Sequence, residues 1–527
     1  MIDSSLESTP IESARSHWTI GQQKLFALIV VPALVLNVLL IAQRLPLGIK
    51  DQWQWEYQES QPPWFTLLFP ALAGPVVLFV ALYAAERFDL RQFGRLGTWA
   101  CLLMLAASGF LFRFFVQWIA VPTASGPAFA AATVASPTAT SHFTVALTVR
   151  DVRTLIYEYP RWMARWPKHA KTHPPGTLLI YIAGHRAVEA SPGLQKLLQR
   201  VFYADGDAAI SSGLFGVSLM ARTQLEPKEL LAATFIAYLL PLIGALGVIP
   251  FFYFAARFLG EAWAWRAAVL LATLPSLATF MYAIDQVYFF LAVLFLAWIV
   301  AALDRNSPAL ALGAGLALGL ATFTSYSLLP LALIAALMTA LWMKQAEAPQ
   351  RVGRLGGFVV VGFLAFYVAL FLLFRFNPVA TFRAALAAHH EESVQAMTRS
   401  YGKWLVANLF DFFYFVGVPV VALFAAWLAA PQAKLHAEAV SARWQFIAFV
   451  AFGATLFLLD LSGLVRGEVA RIWMYLAVFP VAFAAARLRQ EDEPQWSQLA
   501  WIIVCCLQLL QTALMQYAVG TGFLRPW

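Results

Sequence analysis

The residues best equipped for chemistry in this chain are crowded into one short stretch, residues 150–176. It brings Arg150, Arg153, Arg161, Arg165, Lys168 and Lys171 together with Asp151, Glu158, His169 and His173. It closes in Thr172-His173-Pro174-Pro175-Gly176, ahead of an apolar run. Successive prolines fix two φ angles and remove two N–H donors, so His173 sits on extended backbone that feeds directly into a helix start. Two chemistries suit such a segment. It could lie on anionic lipid as a basic loop, or it could form an anion site for a lipid-linked phosphate.

Other polar residues stand out against an apolar background. Residues 48–60 (GIKDQWQWEYQES) set Asp51 and Glu56 beside Trp53, Trp55 and Tyr57. Aromatic faces stack on sugar C–H surfaces and acids bind sugar hydroxyls, while the same residues also suit an interfacial aromatic belt. Asp285 follows an apolar run in PSLATFMYAIDQ, where an acid is costly unless it meets water or a partner. His389-His390-Glu391-Glu392 is a candidate for a divalent metal, since imidazole and carboxylate both suit one. Adjacent helical residues do not converge, however, which favours a solvated face there. In residues 465–475 (VRGEVARIWMY), Arg466, Glu468 and Arg471 crowd a short connection, either as an Arg–Glu pair or as cations facing a phosphate. His142, in Ala139-Thr-Ser-His-Phe143, has an imidazole pKa suited to a base.

The elements that must position these residues are membrane helices. Of 527 residues, 61% are hydrophobic and only 12% charged, against roughly 25% charged in a soluble domain. Apolar runs cover 25–42, 64–84, 99–121, 230–256, 267–284, 287–303, 309–323, 328–343, 356–376, 405–427, 446–464, 472–486 and 499–517. The fold expected is all-α: a polytopic transmembrane bundle of about 13 spans, within a range of about 11–15 because several runs are shorter than a straight span needs. The net charge of +8 reflects topology and headgroups rather than nucleic-acid binding. Cys101, Cys505 and Cys506 lie inside apolar runs and carry neither a disulfide framework nor a metal spacing. Residues 1–24 are polar and read as a cytoplasmic tail without a signal peptide. Lys and Arg are more frequent in the short loops that an inside N-terminus places in the cytoplasm. That orientation puts the C-terminus and the long loop 122–229 outside. Within that loop, residues 122–140 read as a flexible approach, and 177–190 as a helix lying on the membrane surface. Residues 207–222 are a weak candidate for one more span.

The Thr172–Gly176 step, the Asp285 segment and, more weakly, RGEVARIWMY together resemble the GT-C superfamily of integral-membrane glycosyltransferases, of the protein O-mannosyltransferase and lipid A aminoarabinose transferase type. The chain divides into a tail over 1–24, two N-terminal spans over 25–98 with the outer loop 43–63, which are extra to the family pattern, and a GT-C-like membrane domain over 99–527. The resemblance implies a sugar donor on polyprenyl phosphate, a lipid, glycan or protein acceptor, and a site on the outer face of a cell membrane. It also makes His173 the phosphate-contacting position. The sequence departs from that family where its acid usually sits upstream of the Pro-Pro step, since residues 139–143 hold no carboxylate. Asp151 is the first choice of base, Asp51 the second and His142 a third. Arg153, Lys171 and His173, with Arg466 or Arg471, would meet the phosphate. Asp285 is expected to share that part of the site, and Trp53, Trp55 and Glu56 to meet sugar. The pattern identifies no cofactor, and a divalent metal stays open. A transporter or flippase for a lipid-linked saccharide is the rival; it would carry ionisable residues deep in several spans, where this reading finds only Arg113 and Arg375.

Overall fold

A computed structural model describes residues 18–58, 62–87, 94–119, 126–345, 349–395, 399–430, 440–490 and 493–519. Most of the 1–24 tail therefore lies outside the described residues. Apolar segments in lipid must satisfy every backbone N–H and C=O internally, which makes them helical. Among the described residues the only paired strands are Gly48–Ile49 and Trp53–Gln54, an antiparallel pair with Gly48 opposite Gln54.

The chain forms a helical membrane bundle. Among the described residues nine helices are long and apolar enough to cross a membrane, from Ile20–Ile41 at one end to Pro494–Ala518 at the other. Tyr401–Val416 and Val418–Ala429 supply a tenth if they are counted together, although they bend by 110° at Gly417, where φ is +109°. The difference from thirteen lies in three apolar runs. Residues 267–284 break into Glu261–Ala272 and Pro275–Thr279. Residues 309–323 form the 17-residue helix Pro308–Thr324, and 472–486 shorten to Val478–Arg489. All fall below the roughly 20 residues of a straight span, because Pro275, Pro308 and the 3-10 turn Met474–Ala477 set new starts.

From residue 126 on, the long loop is more ordered than its small residues suggest. Its opening, read as a flexible approach, contains the buried helix Gly126–Ala135, which packs on Asp207–Ala221 and Pro227–Leu246. Alanine there permits close helix approach instead of freedom. The Pro-Pro step starts the 16-residue helix Pro175–Ala190, which lies on His142–Thr148, Pro227–Leu246 and Pro308–Thr324. Gly176 closes that last contact: any Cβ would run into the Phe323 carbonyl. Asp207–Ala221, at 15 residues, is too short for the extra span.

Candidate functional site

Four stretches distant in sequence meet in one cluster: residues 139–142, 169–177, 285–288 and 468–471. Each is held by local backbone chemistry. Ser141 adopts a left-handed conformation, with φ 53°, and its hydroxyl accepts the Ala170 N–H at 3.1 Å. His142 is thereby brought against the residues that lead to His173. Their rings meet edge to face with centroids 5.1 Å apart, and His142 also lies 5.6 Å from the Tyr181 ring. His142 is buried, whereas His173 is partly exposed.

His173 is fixed on three sides. Its carbonyl accepts the Tyr159 hydroxyl at 3.0 Å. Its ring stacks over Tyr288 at 6.2 Å. Its Nδ1 lies 2.8 Å from the His169 carbonyl oxygen and 3.2 Å from the Thr172 hydroxyl. Tyr288 donates onward to Thr177 at 2.5 Å, because the Thr177 hydroxyl already donates to the Thr324 carbonyl at 2.7 Å. Residues on either side of the Pro-Pro step are thus locked to two packed helices.

Asp285 opens the helix Asp285–Arg305, where the macrodipole favours a carboxylate. It receives Arg471 Nη1 at 3.0 Å, and Glu468 receives Arg471 Nη2 at 2.9 Å. Gly467 and Glu468 both take positive φ, +98° and +59°, and this turn aims Arg471 inward. Left-handed backbone at a non-glycine residue is costly and is tolerated where surrounding contacts overdetermine it.

Those contacts come from the Tyr401–Val416 helix and from residues 48–57. Asn408 accepts the Gly467 N–H at 3.0 Å and donates to the Val465 carbonyl at 2.9 Å. Asp411 accepts the Ala470 N–H at 3.1 Å and the Trp55 Nε1–H at 2.7 Å. Gln52 caps the start of the same helix, accepting Ser400 N–H at 2.8 Å and Trp404 Nε1–H at 2.9 Å.

Electrostatics separate the groups. Burial pushes the His142 pKa well below the ordinary imidazole value, with His173, His169 and Arg471 adding to the effect. Burial also lowers His173, against the opposing pull of the His169 carbonyl and Asp285. Both shifts favour the neutral imidazole. Burial alone would lower the Arg471 pKa, but Asp285 and Glu468 raise it. Burial works to raise Glu468, yet Arg471 holds it below the usual glutamate value. The triad sets one cation against two carboxylates.

The expected residues divide clearly. His142, His173, Asp285 and Arg471 are brought together. Lys171 lies on the same short helix as His169 and pairs with Glu391 at 3.3 Å. Asp151 is exposed and caps the helix Val152–Tyr157, accepting Arg153 N–H at 3.1 Å, Thr154 N–H at 3.0 Å and the Thr154 hydroxyl. These bonds, the Thr154 hydroxyl foremost, lower its pKa. Arg153 is exposed beside it. Asp51 sits at an exposed turn with φ 65°, and Glu56 is exposed two residues beyond the hairpin. Trp53 and Trp55 are 6% and 8% exposed and pack against Trp404, Phe280 and Phe415. Their covered faces are in no position to stack on a sugar, and they brace the 463–473 connection instead. Arg466 donates to the Gly463 and Arg399 carbonyls at 3.3 and 2.6 Å and lies over Tyr401, which engages it in holding the loop rather than in meeting a ligand.

Glu468 joins the cluster through the Arg–Glu pair that was one of the two readings of residues 465–475. Tyr181 and Tyr288 also belong to it and went unselected in the sequence; the Asp285–Tyr288 spacing, one helical turn, was the available signal. Asp411 and Asp460 also lie inside apolar runs, alongside Arg113. Arg375 is exposed just beyond the helix Pro349–Phe374. Among the described residues no three His, Cys, Asp or Glu side chains gather to hold a metal ion; the Glu392 side chain lies outside them. No protein-family model matches the chain, and no curated protein matches it.

Proposed function

We propose that this chain is an integral-membrane glycosyltransferase of GT-C type, moving a sugar from a polyprenyl-phosphate donor to an acceptor on the non-cytoplasmic side. The observation that carries the reading is the convergence of His142, His173, Asp285 and Arg471, from four separate segments, beside a basic stretch. Such a transfer needs a proton acceptor for the attacking hydroxyl and positive charge where the leaving phosphate develops its own. Lys171 supplies cationic charge outside the triad, and this matters because Arg471 is already outnumbered by Asp285 and Glu468. Arg471 then meets the phosphate as a geometrically fixed donor rather than as a surplus charge. The lipid-linked donor enters from the bilayer, and the acceptor enters from the aqueous side.

The test is transfer in proteoliposomes, with polyprenyl phosphates carrying a panel of hexoses and aminopentoses as donors. Wild type is expected to transfer at least one sugar, and Arg471→Gln to lose most of that activity. Absence of transfer across the panel overturns the reading.

One observation favours the rival, a transporter for a lipid-linked saccharide. Arg113 is fully buried in the span Gly94–Gln117, and among the described residues none of its side-chain nitrogens has a hydrogen-bond partner. Ionisable residues inside spans commonly mark pathways. Translocation of a fluorescent polyprenyl-phosphate sugar without any transfer, abolished by Arg113→Leu, would decide for transport.

A further inference from the structure

We propose that His173 is the general base of this transfer, accepting the acceptor-hydroxyl proton at Nε2, a role that rests on the glycosyltransferase reading above. The resemblance to GT-C enzymes assigns this position to the phosphate, as a cation. The geometry points to a different role.

The argument starts from the tautomer. A carbonyl oxygen only accepts, so the 2.8 Å approach of the His169 carbonyl to Nδ1 requires a proton on Nδ1. Thr172 does not disturb this, since its hydroxyl also donates to the His169 carbonyl, at 3.2 Å. A neutral ring with Nδ1–H carries its lone pair on Nε2. Among the described residues no hydrogen bond engages Nε2. The ring is held on edge by His142 and on its face by Tyr288, so the lone pair has a fixed direction. His173 is the more accessible of the two histidines, because His142 is buried. Asp285 favours the protonated ring, against burial, Arg471 and His389, and so offsets part of the cost of the imidazolium that proton abstraction creates. Orienting partner, free lone pair and neighbouring carboxylate are the three features of an imidazole base.

The step balances without a further reagent. The acceptor O–H bond breaks and its proton passes to Nε2. The oxygen forms a bond to the anomeric carbon. The bond between that carbon and the phosphate oxygen breaks, and its electron pair leaves on the polyprenyl phosphate. The imidazolium then returns its proton to water. This assignment also accounts for the missing upstream carboxylate, since Asp51 and Asp151 stand at exposed turns.

His173→Gln and His173→Lys separate the two roles. Turnover is read in proteoliposomes, and binding of undecaprenyl phosphate is read by native mass spectrometry of nanodisc-embedded protein. A base predicts that both variants lose about 10²–10⁴-fold in kcat while binding stays within about threefold of wild type by the same reasoning. It also predicts a wild-type kcat that rises with pH through an imidazole titration and then levels. A phosphate-contacting cation predicts the reverse: Lys supports turnover, Gln loses binding, and activity falls as pH rises. That pattern, or loss of binding in both variants, overturns the inference while leaving sugar transfer itself intact. If neither variant folds, the direction of the wild-type limb decides. No transfer by wild type removes the glycosyltransferase reading, and this role with it.

Discussion

Arg471→Gln should destabilise the protein far more than Asp285→Asn, although both break the same 3.0 Å ion pair. The asymmetry follows from what each variant leaves behind. The Arg471, Asp285 and Glu468 side chains are 15%, 8% and 33% exposed. Removing the guanidinium strands two carboxylates, one of them nearly buried, and breaking a buried pair in this way costs about 3–5 kcal/mol. Removing the Asp285 charge leaves Arg471 paired with Glu468, neutral overall, with an amide oxygen still able to accept. That loss is one charge-assisted hydrogen bond partly replaced, about 1–2 kcal/mol. The double variant should cost less than the sum of the two, with a coupling of about 1–3 kcal/mol. Unfolding in mixed micelles at pH 7 and at acid pH reads these differences. In wild type, Glu468 is held below its ordinary value, so its contribution is present above that value and lost as pH falls through the folded one. In Arg471→Gln the stranded Glu468 carboxylate is raised by burial instead, so its penalty fades as pH falls. The two stability curves must converge in acid. Parallel curves, or an Asp285→Asn at least as damaging as Arg471→Gln, would refute the triad as an electrostatic unit.

Other outcomes follow from single contacts. Stability should decline as pH drops below about 6.5, the ordinary imidazole value, because the unfolded chain then binds protons that buried His142 refuses. His142→Gln should flatten that limb in the same micelle assay. Gly176→Ala forces a methyl against the Phe323 carbonyl and should cost about 1–3 kcal/mol, visible as a lowered midpoint. Trp55→Phe leaves a buried Asp411 oxygen without its indole donor and should cost about 1–3 kcal/mol. Asp151→Asn keeps a competent cap, so unfolding should shift by less than about 1 kcal/mol, and transfer by the proteoliposome assay should persist.

What the sequence revealed depended on the range of the interaction involved. The helical membrane class was plain from run lengths, since lipid admits little else. Span boundaries were less plain, because the run 267–284 looks continuous in hydropathy yet restarts at Pro275. His173 announced itself through two prolines beside it, and Asp285 and Arg471 through charge in an apolar setting. Glu468 was legible as the partner of an arginine, but which arginine it takes depends on a left-handed turn that only the assembled loop imposes. The carboxylates chosen as bases, Asp51 and Asp151, were chosen for type and neighbourhood. Both are short acids at turns, and that is also what a turn or a helix N-terminus selects.

The Trp53–Trp55 pair shows how one pattern supports two opposite placements. Alternation in residues 48–57 puts both rings on one face of a hairpin, and nothing local says whether that face meets water or protein. The deciding group is Asp411, more than three hundred residues later, whose carboxylate accepts the Trp55 indole on one oxygen and the Ala470 N–H on the other. A buried carboxylate needs such donors. The indole that would have met a sugar is therefore committed to satisfying an acid, and that acid holds the residue next to Arg471. The first connection of the chain acts on the cluster through this chain of bonds, as a brace under the 463–473 turn. Residues 48–57 thus belong to the site's support, and the aromatic signal was sound evidence of purpose but silent on which surface the rings would face.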